Sequence, residues 1–153
     1  MNTEIEQLKE LCLDKVCKIP RQDCIIPARI VKVIDGDTIH VVIMVGNSPL
    51  SISIRVLGMD APETKLKKGV TQLHKDAGLK VKNYVKQLLK DTEIINVKLT
   101  GIDKWGGRYL GEVYISPSVT LTSHLLSLSY VKPYYGEKKS EWTLDELNHI
   151  INH

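Results

Sequence analysis

The sequence predicts a mainly β, α+β domain: a five-stranded OB-type β-barrel with about three packed helices and an extra helix at the N-terminus. Three observations predict it. Residues 28–57 hold three consecutive strand patterns joined by short turns. A helical pattern at 73–89 interrupts the strands before two more follow. Two short helical patterns close the chain, and a short curled sheet with one interposed helix suits a partly open barrel.

The elements follow in order. Residues 3–17 carry Ile5, Leu8, Leu11, Cys12 and Val16 at helical spacing, with Thr3 and Glu6 placed for a capping box. This amphipathic segment is expected to pack on the domain or on a protein partner. Residues 18–27, with Pro20 and Pro27, read as a linker, which divides the chain into an extension at 1–27 and a domain at 28–153. Strands are expected at 28–34 and 38–45, around the turn Asp35-Gly36-Asp37, and at 50–57. In the last of these Leu50, Ile52, Ile54 and Val56 alternate with Ser51, Ser53 and Arg55. The helix at 73–89 turns Leu73, Ala77, Val81, Tyr84, Val85 and Leu88 inward and Lys75, Lys82 and Lys86 outward, and Gly78 weakens it slightly. Strands at 93–99 and 109–115 flank a Gly-rich turn, and helices follow at 119–128 and 144–151. The last helix begins after Thr143, with Glu146 positioned for a second capping box.

Composition sets bounds. The 153 residues fit one core, large enough to need neither disulfides nor a structural metal. With no Phe, the core must be built from Ile, Leu and Val with a few Tyr and two Trp. Net charge is only +3, but eight lysines lie between Lys65 and Lys90 against the single acid Asp76, so the positive charge is concentrated in one window. Cys12, Cys17 and Cys24 are odd in number and lack zinc spacing, and read as reduced thiols. The acidic N-terminus lacks a signal-peptide pattern, and no stretch approaches the ~20 apolar residues of a membrane span, so an intracellular location is expected. Histidines 40, 74, 124, 149 and 153 show no metal-site spacing and are assigned no role.

The chemistry concentrates in Asp35-Gly36-Asp37-Thr38, Arg55, and Asp60-Ala61-Pro62-Glu63-Thr64. In a strand meander the ends bearing Asp37 and Asp60 meet, and paired carboxylates make an oxygen site for a hard cation. Arg55, rigid on a strand, suits bidentate contact with phosphate. Taken singly, Asp-Gly and Asp-Ala-Pro are also ordinary turn chemistry, and Arg55 an ordinary solvated strand residue. Their order and spacing together favour phosphodiester hydrolysis.

These segments, with Asp103-Lys104-Trp105-Gly106-Gly107-Arg108-Tyr109-Leu110-Gly111-Glu112-Val113-Tyr114, resemble the staphylococcal nuclease (thermonuclease) family over about residues 28–135. The resemblance implies a Ca²⁺-dependent endonuclease (other hard divalent cations being possible) that cuts DNA or RNA with little sequence specificity and leaves 3′-phosphate ends. It implies that Asp37, Asp60 and the backbone carbonyl of Ala61 bind the metal with Asp35 in support. Glu63 then positions or deprotonates water, and Arg55 and a second arginine bind the phosphate. Lys104 and Trp105 match positions that touch a terminal phosphate. The third motif carries an extra glycine. Counting from Asp103 puts Gly107 at the arginine position, whereas counting back from Tyr109 puts Arg108 there, and Arg108 is taken with a looser loop.

Lys65, Lys67 and Lys68 adjoin Glu63 and read as phosphate contacts, whereas the helical lysines read more simply as a solvated face. Tyr134, with Tyr130 as the alternative, is expected to line the nucleotide pocket, although either could pack the barrel instead; stacking there favours single-stranded or breathing duplex substrates. Trp142 reads as a helix-docking anchor. Two other functions fit the fold: a nucleic-acid-binding module that does not cut, favoured only by the shifted Arg108, and an adaptor that docks partners through the N-terminal helix.

Overall fold

A computed structural model describes residues 3–104 and 106–153. A short helix α1 (Thr3–Lys9) and a 3-10 turn (Leu13–Lys15) precede strand β1 (Ile25–Asp35). There follow β2 (Thr38–Val45), β3 (Ser48–Val56), β4 (Gly58–Asp60), α2 (Gln72–Leu89), β5 (Ile94–Ile102), β6 (Tyr109–Ser116), β7 (Val119–Thr120), α3 (Leu121–Ser127), β8 (Lys132–Tyr134) and α4 (Leu144–Asn152).

The strands pair in the order β3-β2-β1-β5-β6, and a parallel pairing of β3 with β6 joins the two ends. The result is a closed, mixed, five-stranded barrel of the OB type, as the strand pattern predicts, and closure leaves its strands no free edge at the seam. Register breaks between Ile30 and Lys32, Val33 and Asp35, and Leu99 and Gly101 supply the bends that curl so few strands into a barrel. The β2–β3 hairpin turns at Gly46-Asn47, where Val45 pairs with Ser48.

Alternation explains the core. Ile39, Val41 and Ile43 of β2, Ile52, Ile54 and Val56 of β3, and Val97 and Leu99 of β5 face inward and are buried. Ala77, Val81 and Val85 of α2 cover one side of the barrel, Leu121 and Leu125 of α3 another, and Leu147 and Ile150 of α4 lie among the same core residues, α4 packing on α2. The capping box of α4 forms as expected: Thr143 Oγ1 accepts from Glu146 N–H at 3.2 Å and Glu146 accepts from Thr143 N–H at 2.8 Å.

Several expectations shift. The helix expected over residues 3–17 ends at Lys9, and none of its residues is buried. Its apolar stripe, Ile5, Leu8, Leu11 and Val16, stays exposed instead of packing on the domain. Without a packing surface so short a helix has little to extend it. The segment read as a linker begins folding early: Ile19 enters the core and β1 starts at Ile25. Pro27 is tolerated because residues 25–28 pair with β5 alone, leaving the other side of the strand open. Three short strands escaped the pattern, β4, β7 and β8, since two or three residues cannot display a period. No described helix is long and apolar enough to cross a membrane.

Candidate functional site

The barrel register assembles the site. Thr38 pairs with Arg55, and Arg55 with Leu110, so β2, β3 and β6 set these residues side by side. Arg108 precedes Leu110 by two positions and lies on the same side. Arg55 shares its face with Ser51 and Ser53, yet it is only 6% exposed. The chain folds over it: β4 and β8 pair antiparallel, Gly58 with Tyr134 and Asp60 with Lys132. Arg55 Nη1 donates to the Met59 carbonyl at 2.8 Å, and the guanidinium carbon stands 5.6 Å from the Tyr134 ring centroid.

Two buried carboxylates hold this guanidinium. Arg55 Nη1 lies 3.4 Å from Asp37 Oδ2, and Nη2 lies 3.6 Å from Asp60 Oδ1. Asp37 is fixed further by the Ala61 N–H, which donates to Oδ2 at 3.0 Å, and by the Thr38 hydroxyl, which donates to Oδ1 at 3.1 Å. The same Thr38 hydroxyl oxygen accepts from Arg108 Nη1 at 3.2 Å, which links the two arginines through Asp37. Arg108 is also paired through Nε with Asp103 Oδ2 at 2.8 Å. Arg55 Nη2 is fully buried and makes no hydrogen bond among the described residues. Its anionic neighbour is Asp60 Oδ1, which at 3.6 Å stands just beyond hydrogen-bond distance.

Arg55 and Arg108 line a cavity of about 320 Å³ together with Lys104, Met59, Tyr134 and Lys139. Gly106 and Gly107 lie in the exposed loop between β5 and β6. There Asp103 N–H donates to the Arg108 carbonyl at 2.9 Å and Gly106 N–H to the Asp103 carbonyl at 2.9 Å. Gly107 is exposed in that loop, whereas Arg108 stands on the cavity wall. Trp105 lies outside the described residues.

Glu63 occupies an adjoining depression with Asp60, Ala61, His74 and Trp142. Lys139 lines both spaces, whereas Asp60 lines only the second. Lys139 Nζ is 3.1 Å from Asp60 Oδ1 and 5.6 Å from the Tyr134 ring centroid, so it is a second cation on that carboxylate. The Glu63 carboxylate is paired with Lys67 at 3.2 Å. Lys65 and Lys68 are exposed on the same loop. Asp35 accepts from the Thr64 hydroxyl at 2.6 Å, which ties the loop to the end of β1. Tyr130 is not a cavity residue: it is 6% exposed in the core, edge-on to Tyr84 at 5.3 Å. Only Tyr134 of the two tyrosines lines the cavity. Trp142 packs edge-on to His74 at 6.4 Å beneath Lys132 Nζ at 5.0 Å, before α4 begins.

Among the described residues no three carboxylate, imidazole or thiol side chains gather into a metal centre. The oxygen donors present are two buried carboxylates, Asp37 and Asp60, which are paired here with the side chains of Arg55 and Lys139. That set is hard and oxygen-based, and of the chemistry a divalent cation such as Ca²⁺ accepts when water completes its shell.

Four residues matter here that sequence reasoning left without a role. Thr38 bridges Arg108 to Asp37. Lys139 lies beyond the stretch of resemblance, and nothing local distinguishes it from Lys138. Gly36 and Gly78 let main chain meet helix α2: a Cβ on Gly36 would stand 2.6 Å from Val81 Cγ1, and one on Gly78 would stand 2.2 Å from the Glu63 carbonyl oxygen. Gly36 adjoins Asp37 in the sequence, which is a signal available there, whereas Gly78 meets Glu63 only through the fold.

No protein-family model matches the chain, and no curated protein matches it.

Proposed function

We propose that the chain is a staphylococcal-nuclease-like, metal-dependent endonuclease that hydrolyses phosphodiester bonds of DNA or RNA. The observation that carries this reading is the buried Arg55 guanidinium, held between Asp37 and Asp60, in a residue that lines one cavity with Arg108 and Tyr134.

In this reading Arg55 and Arg108 donate to the non-bridging oxygens of the scissile phosphate and stabilise the charge that grows there. Their forks are pre-set by Asp37, Asp60, Thr38 and Asp103, so little reorganisation accompanies the reaction. Asp37, Asp60 and the Ala61 carbonyl would hold a Ca²⁺ ion, which when bound would supply further positive charge against the phosphate. Glu63, freed from Lys67, takes a proton from the attacking water. The new bond forms between that water oxygen and phosphorus, the bond to the 5′-oxygen breaks, and solvent protonates the departing oxygen. The products carry 3′-phosphate and 5′-hydroxyl ends.

Tyr134 offers a ring face to one base, and Lys65, Lys67, Lys68 and Lys104 offer charge to the backbone, so single-stranded or locally opened substrate is preferred and affinity falls with salt. None of these contacts reads a base edge, which makes sequence preference weak.

The separation of Glu63 from the arginine cavity favours a second reading, a nucleic-acid-binding module that does not cut. Cleavage of single-stranded DNA by the wild-type chain beside Glu63→Gln decides between them. Loss of a general base is expected to lower kcat by about 10²–10⁴ while binding persists. Binding without cleavage by the wild type, in Ca²⁺, Mg²⁺ and Mn²⁺ alike, would establish the second reading.

A further inference from the structure

We infer that His74 is a positioning residue, fixing the main chain at Glu63 by accepting its N–H; the inference rests on the hydrolytic reading of Glu63. The Glu63 amide nitrogen lies 2.9 Å from His74 Nε2. That contact needs a lone pair on Nε2, so the ring proton sits on Nδ1 and the imidazole is neutral.

The first turn of α2 is built to hold the ring in place. Thr71 caps the helix by accepting the His74 N–H at 3.2 Å. Trp142 closes over the imidazole edge-on, with centroids 6.4 Å apart. One helical turn beyond His74, Gly78 presents bare backbone to the same loop, and its missing Cβ leaves room for the Pro62 and Glu63 carbonyls. The loop thus meets α2 at two places on one face, a hydrogen bond at residue 74 and a steric seat at residue 78. Burial draws His74 below its ordinary pKa of 6.5, against the pull of Glu63 and Asp60 in the other direction. A neutral ring also suits the positive end of a helix.

The consequence is a division of labour on one short loop. Glu63 presents its carboxylate outward, where Lys67 meets it, while its backbone is pinned from behind. Rotation about the side-chain bonds stays free for proton transfer, but the position of the Cα is fixed relative to Asp60 three residues before it. None of this is visible in the residue types, since His74 occupies no metal or triad spacing.

The test uses the full chain with His74→Leu, His74→Asn and His74→Gln, read by amide exchange at Glu63 and by steady-state cleavage of single-stranded DNA in Ca²⁺. Leu removes the acceptor. Asn keeps polarity but is too short to reach, so it guards against a Leu variant that folds poorly. Gln carries an amide oxygen near the position of Nε2. In the Leu and Asn variants Glu63 exchange should quicken by about tenfold or more as the anchor opens. Their kcat should fall by roughly 10–100-fold, the scale expected for a group displaced by about 1 Å, with KM nearly unchanged. Gln should restore slow exchange and most of kcat. Unchanged exchange and kcat in Leu and Asn would overturn the inference, as would a kcat loss that Gln fails to rescue. A wild-type chain that binds DNA without cutting it would remove the hydrolytic reading and the positioning role with it, and Glu63 exchange would then report an anchor without catalysis.

Discussion

Gly78→Ala separates helix propensity from the demands of the site. In an isolated helix alanine is favoured over glycine by about 1 kcal/mol, so propensity alone predicts a more stable protein. The structure predicts otherwise. An added Cβ would stand 2.2 Å from the Glu63 carbonyl oxygen and 2.6 Å from that of Pro62, where contacts under 3.4 Å are already tight. The loop must retreat by about 1.2 Å, the difference between 3.4 and 2.2 Å, because both opposing atoms are backbone and cannot rotate away. Overpacking of this kind costs about 1–3 kcal/mol, which cancels or exceeds the propensity gain and leaves a net loss of about 0–2 kcal/mol. For a domain of this size each kcal/mol moves Tm by roughly 2–4 °C. The catalytic effect should be larger than the effect on stability. A displacement of about 1 Å at Glu63 corresponds to a fall in kcat of up to about 10². Thermal melting and steady-state cleavage of a labelled single strand, measured on one preparation, read both effects. A Gly78→Ala variant that melts higher than the wild type and keeps its kcat would refute the claim that the glycine exists to seat the Glu63 loop.

Two further predictions concern charge. Arg55→Met leaves Asp37 and Asp60 buried beside each other without the guanidinium between them, and should cost about 3–5 kcal/mol in urea unfolding without metal; millimolar Ca²⁺ should restore stability more strongly than in the wild type, and a loss below about 1 kcal/mol would contradict the assigned pairing. Because burial holds the folded-state pKa of His74 below its ordinary 6.5, the unfolded chain binds more protons as pH falls through that value, so this contribution to stability is present above pH 6.5 and lost below it. His74→Gln should flatten that part of the stability profile, and an unaltered slope would assign it to another group.

The fold was legible where a single element carries its own period. β2 and β3 alternate over enough residues to declare both faces, the stripe of α2 and the capping box of α4 appear at nearly the expected positions, and the Thr71 cap of α2 was not foreseen. What eluded the sequence depends on pairs of distant segments. β4 and β8 are three residues each and exist only because they find one another, yet they bury Arg55 on what the alternation with Ser51 and Ser53 marks as an outer face. Tyr130 and Tyr134 are near neighbours of one type, and only the path of β8 sends the first to the core and the second to the cavity. Arg108 stands on the cavity wall, next to β6, while Gly107 before it is exposed in the loop. Gly78 reads in isolation as a weak helix residue, and its purpose becomes clear only when the Glu63 loop is laid against it. The N-terminal segment has the opposite fault: its stripe is clear in the sequence, but it is unmatched by any surface of the domain.

The most direct test of the central claim is end-group analysis of labelled single-stranded DNA incubated with the wild-type chain in millimolar Ca²⁺, with a chelator-treated sample alongside. The account predicts chelator-sensitive fragments with 3′-phosphate and 5′-hydroxyl ends and little sequence preference. Intact DNA that nevertheless co-migrates with the protein, or fragments bearing 5′-phosphate ends, would contradict it.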